Sequence, residues 1–497
     1  MQEPNPTSFA PGSTGMLEEF AASLGGADTV ERLRDGLIGE GAMLPGPFGP
    51  KPLVYADYVA SGRALMQVER FVLERVLPFH ANSHTEASYC GALMTRLRRE
   101  ARAVIARLAG ADADHAVIFT GSGATAGINR LVHLFGVREA TRRGERPLVL
   151  IGPYEHHSNI LPWRESGAEV VEIAEAAQGG PDLAMLDEVL EATAGRRLRV
   201  GAFSAASNVT GVVSDVRAVT SSLKRHGVLA VWDYAGAGPY MPIAMRPADG
   251  CGVDAIVVSP HKFVGGPGAS GVLIVRRAAV SASRPTFPGG GTVSFVSPWS
   301  HDYTADLVAR EEGGTPNVVG DIRAALAFIV KDAIGEAYMA RRHEELGMRA
   351  LDTWRRNPNL VLLGVDRGHR LPIFSFRVRD TRKGGFLHHQ LFTRMLSDCH
   401  GVQARGGCAC AGPYAHRLLG LGRDDSQRLR EAIQSGDESA KPGWVRLNFS
   451  ALMDDAKARY IVDAVDTLAR APYPAADAYR CDTRTARFHP DAKAVIA

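Results

Sequence analysis

A repeated alternation of short apolar runs with helix-like segments across residues 113–277 constrains the fold more than any other feature of this sequence. The apolar runs are rich in Val, Ile, Leu and Ala and show little polar alternation, as is typical of strands buried on both faces. Strands are predicted at residues 115–120, 147–152, 168–173, 198–204, 228–233, 253–259 and 271–275. Repeated strand–helix units predict an α/β domain of three layers, with a mainly parallel sheet covered by helices. Ligands of such sheets bind at the carboxyl ends of the strands.

The rest of the chain predicts a second, smaller domain. A long helical pattern covers residues 318–345, strands are predicted at 371–378 and 444–449, and helices at 388–399 and 454–471. We therefore predict an N-terminal arm or small-domain contribution at 1–50, a large domain at 51–320, and a bridging helix with a small α+β domain at 321–497. Residues 1–15 are predicted to be a loose arm, and the tail from residue 472 to pack only along the surface.

Composition limits the classes of function. The chain of 497 residues is 45% hydrophobic and 22% charged, as ordinary globular proteins are, and its net charge is 57 − 54 = +3. This balance argues against nucleic-acid and membrane partners. The six cysteines are too few for a disulfide scaffold, and we see neither a signal peptide nor a membrane span. We therefore predict that the protein is cytoplasmic.

Three segments that follow predicted strands carry the chemistry. Lys262 comes after the strand at 253–259 in a Gly-rich turn, where a desolvated amine can form a Schiff base with an aldehyde. Asp233 ends the strand at 228–233, where a buried carboxylate needs a cationic partner such as a protonated pyridine nitrogen. Residues 120–129, Thr-Gly-Ser-Gly-Ala-Thr-Ala-Gly-Ile-Asn, open a helix and so offer an anion site. A surface lysine, a turn aspartate and an ordinary Gly-rich turn are the alternatives for each feature taken alone.

Taken together, an amine for an aldehyde, a carboxylate for a pyridinium and a cradle for a small phosphate match pyridoxal 5′-phosphate (PLP). The sequence resembles the class V aminotransferase-fold PLP enzymes of fold type I, in their cysteine desulfurase-like branch, because its motifs occur in the same order along the chain. The resemblance runs from about residue 55 to residue 449. The motifs that carry it are residues 56–61, 123–125, 155–159, 208–211, 233–235, 259–262, 289–292, 312–317, 405–410 and 445–446.

The resemblance implies how PLP is bound. Lys262 holds it covalently, Asp233 pairs with the pyridine nitrogen, His156 stacks on the ring and moves protons, and Asn208 lies near the phenolic oxygen. The residues implied for the phosphate are Gly123, Ala124, Thr125, Ser259 and His261, with Thr292 reaching the phosphate of a partner subunit in a homodimer. No metal is predicted, because no further ligand spacing supports the His pair that begins at His156.

The resemblance also implies an amino-acid substrate. Arg446 clamps its α-carboxylate, since a planar guanidinium donates two parallel hydrogen bonds, although an arginine of a structural ion pair is the alternative. Ala60 and His84 are further substrate-binding residues in this interpretation.

Two thiols lie in residues 406–413, Gly-Gly-Cys-Ala-Cys-Ala-Gly-Pro, which we expect to be a flexible loop. Alignment of Arg405 and Pro413 with the desulfurase pattern places Cys410 at the nucleophile, whose thiolate takes sulfur from substrate cysteine and passes it to an acceptor. Two small buried residues in a substrate loop are the alternative. Whether Cys408 and Cys410 pair, relay sulfur or do neither stays open here.

Departures from the pattern affect the sulfur chemistry more than the cofactor site. Gly236 stands where the branch has Gln, Gly407 and Cys408 replace paired histidines, and Ala124 replaces a hydroxyl residue. We predict a PLP-dependent lyase or transferase that cleaves a bond at Cβ, with C–S cleavage in the manner of cysteine desulfurases leading. An aspartate β-decarboxylating lyase or aldolase, an aminotransferase, and a non-catalytic PLP-fold scaffold are the alternatives.

Overall fold

The main sheet of the protein consists of the seven predicted strands. The computed structural model describes residues 15–83, 85–246 and 251–491. We number the strands of the main sheet β1 His115–Gly121, β2 Leu148–Ile151, β3 Glu169–Glu172, β4 Arg199–Ser204, β5 Leu229–Asp233, β6 Ala255–Val258 and β7 Gly271–Arg276. Each prediction is therefore confirmed to within two residues at either end.

The strand order of the main sheet is β1-β7-β6-β5-β4-β2-β3. Strands β2 to β6 pair in parallel, whereas β7 runs antiparallel to both of its neighbours, β1 and β6. The carboxyl ends of β1 to β6 therefore meet at one edge of the sheet, which is where ligands of such sheets bind.

Helices cover both faces of this sheet. In β2, Leu148 and Leu150 join one apolar cluster and Val149 and Ile151 another, because successive side chains of a strand point to opposite faces. This is why the strands read as continuous apolar runs. Helix Gly123–Leu134 packs in the cluster of Val149. Helices that pack in the cluster of Leu148 include Met16–Leu24, Tyr89–Leu108 and Val318–Ile334. The predicted three-layer α/β architecture is confirmed.

A smaller antiparallel sheet follows in the second half of the chain. Its strands, in sheet order, are Leu360–Leu362, Ile373–Val378, Trp444–Asn448 and Arg405–Gly407. Side chains of Glu336–Trp354, His389–His400 and Asp455–Arg470 fill a separate apolar cluster with this sheet. The predicted strands and helices of this α+β region are present, while the domain boundaries at residues 50 and 320 stay a prediction.

The described part of the chain contains further short strands and helices besides those named above. The further strands are Met43–Leu44, Lys51–Pro52, Val54–Tyr55, Val293–Val296, His301–Tyr303, Val402–Gln403, Tyr479–Asp482 and Arg487–Pro490. The remaining α-helices are Thr29–Asp35, Met66–Phe71, Val137–Arg142, Leu161–Glu165, Leu183–Ala192, Val216–Arg225, Leu307–Glu311, Gly412–Leu419, Arg423–Gln434 and Tyr473–Ala476. Within the described part of the chain, no helix is long and apolar enough to cross a membrane.

One prediction about these elements is wrong. The helical pattern at 318–345 is two helices, Val318–Ile334 and Glu336–Trp354, because Gly335 has φ +84° and breaks the helix while the apolar periodicity continues. The tail contains a largely exposed hairpin, in which residues 479–482 pair with 487–490. The Tyr479 hydroxyl of this hairpin donates to Asp398 Oδ2 at 2.9 Å. The predicted N-terminal arm lies, apart from Gly15, outside the described residues.

Candidate active site

A cavity of ≈ 290 Å³ lies at the carboxyl ends of the parallel strands. It brings together eleven of the residues predicted from the sequence: Ala60, Ala124, Thr125, His156, Asn208, Asp233, Ser259, His261, Lys262, Cys410 and Arg446. Residues that line it but were not predicted to do so include Ser122, Ser158, Ser204, Gly236 and Arg405. Segments that are distant in sequence thus converge on one site.

Lys262 ends a short 3₁₀ turn, Pro260–Lys262, that follows β6. Burial lowers the pKa of Lys262 to about 8, an effect that the carboxylate of Asp233 opposes and the guanidinium of Arg446 reinforces. A Cβ added to Gly266 would lie 1.9 Å from the Pro260 carbonyl oxygen, so only glycine lets the chain fold back against this turn. The result is an amine that is substantially neutral, and hence nucleophilic, near pH 8.

Asp233 ends β5 and is 5% exposed. Its Oδ1 accepts a hydrogen bond from the Ala235 N–H at 2.8 Å. Burial raises the pKa of Asp233, while this hydrogen bond and the charge of Lys262 lower it. A carboxylate held inside a cavity in this way favours a cationic group beside it.

The start of helix Gly123–Leu134 forms a concave anion cradle. Gly123 has φ +63°, and a Cβ there would lie 2.8 Å from Ser259 Oγ and 3.1 Å from His261 Cε1, so a side chain would fill the cradle. The Ala124 N–H donates to Ser259 Oγ at 3.0 Å. The hydroxyl oxygens of Thr125 and Ser158 lie 2.7 Å apart. Helix N–H groups and clustered hydroxyls are what a phosphate requires, so this donor set, with Asp233 and Lys262, fits PLP.

His156 presents a neutral imidazole to the cavity. Its Nδ1 accepts a hydrogen bond from the Ser158 N–H at 3.1 Å, so the ring proton of the neutral form resides on Nε2. Burial lowers the pKa of His156 to about 4, and the nearby charge of Lys262 contributes. The side chain is therefore an aromatic, uncharged surface with one N–H donor at neutral pH.

Arg446 lies in the strand Trp444–Asn448 and is 3% exposed. Its Nη2 donates to Asp57 Oδ1 at 3.0 Å and its Nη1 to the Asn208 carbonyl oxygen at 3.1 Å, whereas the buried Nε has no partner. A guanidinium carries five N–H donors, so three remain for a bound anion. Burial lowers the pKa of Arg446, and Asp57 offsets this effect.

Asp57 is a site residue that the sequence reasoning missed. It bridges two arginines, since its Oδ2 also accepts from Arg405 Nε at 2.9 Å. Asp57 belongs to the motif at residues 56–61, but the residues around it do not indicate that two arginines from distant strands contact it. A carboxylate among apolar neighbours was the available signal, because a buried carboxylate needs cationic partners.

The loop that carries Cys410 makes backbone hydrogen bonds to residues of other segments. Cys410 is exposed and lines the cavity. Its carbonyl oxygen accepts from the His157 N–H at 2.9 Å, and the Ala409 carbonyl oxygen accepts from Asn208 Nδ2 at 2.9 Å. Ala409 and Cys410 have φ +54° and +55°, left-handed conformations that cost a residue with a Cβ about 1–2 kcal/mol each. The surrounding contacts therefore support this backbone conformation on the side of the cavity.

Other predicted residues have different surroundings. Gly236 leaves free space in the cavity, since an added Cβ would make only ordinary contacts, 3.4 Å from Asn208 Cβ. Thr292 is fully buried outside the cavity wall, and its hydroxyl donates to the Gly289 carbonyl oxygen at 2.7 Å. His84 lies outside the described residues. No group of three or more His, Cys, Asp or Glu among the described residues could hold a metal ion.

Comparison with known proteins decides the family. The family model for class-V aminotransferases matches residues 54–430, about three quarters of the chain. The chain belongs to the class-V aminotransferase family. As a member, it is a PLP-dependent enzyme, which confirms the predicted cofactor and rules out the non-catalytic scaffold.

The similar proteins of this class-V family share one type of name. A "Probable cysteine desulfurase" of Halalkalibacterium halodurans is 28% identical over 366 residues, which cover 73% of this chain and 85% of that protein. A "Probable cysteine desulfurase 2" of Mycobacterium leprae is 30% identical over 382 residues, covering 75% and 86%.

Solved structures of the class-V family confirm the fold. The apo cysteine desulfurase of Thermococcus onnurineus NA1 matches with a TM-score of 0.68 at 22% identity, covering 84% of this chain and 95% of that one. The cysteine desulfurase CsdA (S-sulfonic acid) of Escherichia coli also has a TM-score of 0.68, at 23% identity, covering 88% and 98%. At this identity the likeness concerns the fold, and it confirms the predicted fold type I.

A buried carboxyl under the cavity predicts a dependence of stability on pH. Burial raises the pKa of Glu155 from 4.5 to about 7, although Ser204 and Asn159 donate hydrogen bonds to it. The folded state therefore binds a proton that the unfolded state releases between pH 4.5 and 7. We expect the free energy of unfolding of the wild type, relative to E155Q, to fall by about 3 kcal/mol as pH rises through this range. Guanidinium titrations at several pH values measure it.

The exposed Glu188 of helix Leu183–Ala192 provides the matched control. E188Q should follow the wild type at every pH, because its carboxylate is solvated in both states. If the E155Q and wild-type curves stay parallel from pH 4.5 to 7, the carboxyl of Glu155 does not hold the extra proton.

Proposed function

We propose that this class-V enzyme is a cysteine desulfurase, which converts cysteine to alanine and leaves the sulfur as a persulfide on Cys410. The observation that carries the proposal is the exposed Cys410 thiol in the wall of the cavity that also contains Lys262 and Arg446. The names of the relatives from H. halodurans and M. leprae agree with it.

In this proposal the chain orients the cofactor from three sides. When bound, PLP supplies an electron sink for negative charge on the substrate. Lys262 would hold it covalently, Asp233 would pair with its ring nitrogen, and His156 would face its ring. Asn208 would contact its phenolic oxygen. The residues that would bind its phosphate are Gly123, Ala124, Thr125, Ser259 and His261. A homodimer remains part of the proposal, but Thr292 is assigned no phosphate contact in it, because its side chain is fully buried in its own protomer and its hydroxyl donates to the Gly289 carbonyl oxygen.

Substrate binding in this proposal depends on the spare donors of Arg446. Two of its N–H groups are already used on Asp57 and the Asn208 carbonyl, which fix the plane of the guanidinium. The α-carboxylate of the substrate takes the free donors, as a charge-assisted pair in a buried site. Ala60, which lines the cavity, is a further substrate contact in this proposal.

In the proposed reaction, Cys410 accepts the sulfur and Lys262 transfers protons. The Cys410 thiolate attacks the substrate sulfur, so that the Cβ–S bond breaks and an S–S bond forms on the enzyme. The substrate carbon keeps the electron pair of the broken bond and takes a proton. The Lys262 amine, with its pKa lowered to about 8, can both remove and return protons near neutral pH.

An aspartate β-decarboxylating lyase is the second candidate. The guanidinium of Arg405 lines the cavity and has a side chain that is 52% exposed, so the site holds two arginines with free donors. A dicarboxylic substrate would use both cations.

A direct assay separates the two candidates. Incubation of the PLP-loaded enzyme with cysteine and a thiol reductant should yield alanine and sulfide in equal amounts. C410S should keep the cofactor absorbance and lose at least ~100-fold of the sulfide production, because a serine hydroxyl cannot accept sulfur. Aspartate should yield no CO2. CO2 and alanine from aspartate, with no sulfide from cysteine, would replace the desulfurase by the lyase.

The distant Cys481 provides the control for the assay with C410S. It is exposed on the terminal hairpin and does not line the cavity. C481S should therefore retain wild-type alanine and sulfide production, which separates loss of the nucleophile from a general effect of cysteine replacement.

A further inference from the structure

The second thiol of the loop, Cys408, lies behind the cavity wall. Cys410 lines the cavity, whereas Cys408 does not and is only partly exposed. Cys408 packs against a buried apolar cluster that includes Tyr154, Tyr414 and Trp444. A substrate in the cavity thus meets Cys410 and not Cys408.

The two thiols belong to one tight, hydrogen-bonded turn of the backbone. The Ala411 N–H donates to the Cys408 carbonyl oxygen at 3.1 Å, closing a four-residue turn. Both central residues, Ala409 and Cys410, have positive φ, which is the type I′ pattern that ordinarily selects Asn and Gly. For a residue with a Cβ, φ near +55° allows only the left-handed helical region.

This conformation fixes the separation of the two cysteines. Left-handed helical residues mirror right-handed ones, so Cα atoms two positions apart lie about 5.4 Å from each other. Disulfides span Cα–Cα distances of roughly 4.4–6.8 Å, with a mode near 5.5–6 Å. The Cα atoms of Cys408 and Cys410 therefore lie at a separation that a disulfide can span, and the bond requires the Cys408 side chain to turn from the apolar cluster towards Cys410; both are free thiols here.

The hydrogen bonds of the loop also restrict where sulfur on Cys410 can go. The carbonyl oxygens of Ala409 and Cys410 are held by Asn208 and His157, and the Gly412 N–H donates to His157 Nε2 at 2.9 Å. These hydrogen bonds lie on both sides of Cys410 and hold the backbone around it beside the cavity. Cys408 is the second thiol that the same turn keeps within reach of Cys410.

We infer that Cys408 is a resolving thiol that releases the sulfur of Cys410 as sulfide. This rests on the proposed desulfurase function. The Cys408 sulfur attacks Cys410 Sγ, the S–S bond of the persulfide breaks, and hydrosulfide leaves with the electron pair. A disulfide between the two cysteines forms, so the two thiols are oxidised while the transferred sulfur is reduced to sulfide. A dithiol reductant then restores both thiols for the next turnover.

A single turnover without reductant tests the inference. The reduced, PLP-loaded enzyme is freed of reductant under anaerobic conditions and given one equivalent of cysteine. The wild type should release about one sulfide per alanine formed and lose two alkylatable thiols. C408S should form alanine, release at least ~10-fold less sulfide and gain about 32 Da on the peptide that contains Cys410.

A control variant and two contrary outcomes separate the resolving role of Cys408 from the desulfurase proposal. C481S should match the wild type in sulfide, alanine and thiol count, because this exposed cysteine lies outside the cavity. Alanine formation with a persistent persulfide and no sulfide in the wild type would overturn the resolving role while leaving the desulfurase proposal intact. Absence of alanine in every variant would overturn the desulfurase proposal, and the resolving role with it.

Discussion

Replacing Lys262 with alanine is expected to remove the visible absorbance of the bound cofactor and to lower turnover by ~10³-fold or more. The half-buried side chain lines the cavity, and its pKa of about 8 makes the amine available both as a nucleophile and as a proton carrier. No other lysine lines this cavity among the described residues. Absorbance spectra and the alanine assay measure the two losses.

A chemical label makes the expectation for Lys262 specific. Reduction of the wild type with borohydride, followed by peptide mass spectrometry, should locate the cofactor on the peptide that contains Lys262. K383A, at an exposed lysine, should keep both the absorbance and the label. Cofactor found on a different lysine, or a coloured K262A protein with unchanged turnover, would show that the covalent link lies elsewhere.

Replacing Asp233 with asparagine is expected to lower turnover by ~10²–10³-fold while the fold remains intact. Asparagine has nearly the same shape and can still accept the hydrogen bond of the Ala235 N–H, but it lacks the negative charge that a cationic ring nitrogen requires. Burial strengthens this charge effect, since Asp233 is shielded from water. Steady-state alanine formation and the wavelength of the cofactor absorbance are the measurements.

An exposed aspartate controls for the change of charge alone. The side chain of Asp366 is 95% exposed, so D366N should behave as the wild type in both measurements. Turnover of D233N within a factor of about two of the wild type would mean that the carboxylate does not support the ring. Unfolding titrations of D233N distinguish a catalytic loss from a loss of structure, because only the latter moves the midpoint.

The main sheet could be predicted from the sequence because its strands are buried on both faces. A strand such as β2, whose four residues are all buried, leaves an apolar run that local reasoning finds. Lys262 and Asp233 were predicted by the same logic, since chemistry-bearing residues at strand ends stand out against such runs. The Gly-rich turn before helix Gly123–Leu134 gave the third point of the cofactor site.

What could not be predicted depends on contacts between distant segments. Asp57 joins Arg405 and Arg446 across almost 400 residues of chain, and no local pattern records that convergence. The conformation of Ala409 and Cys410 is also set by distant partners, because Asn208 and His157 hold the turn that their own side chains disfavour. The helix break at Gly335 was missed for a local reason, because this one residue ends a helix without altering the apolar periodicity around it.

The antiparallel strand β7 determines when the main sheet that carries the active site can be completed. The sole partner of β1 in the main sheet is β7, which is synthesised about 150 residues later and inserts between β1 and β6. Until β7 docks, β1 has no strand partner in the main sheet, and the cradle that follows β1 is tied to the turn after β6 only by contacts such as that of the Ala124 N–H with Ser259. The cofactor site is therefore completed by pairing between distant parts of the chain, which forms more slowly than local contacts do.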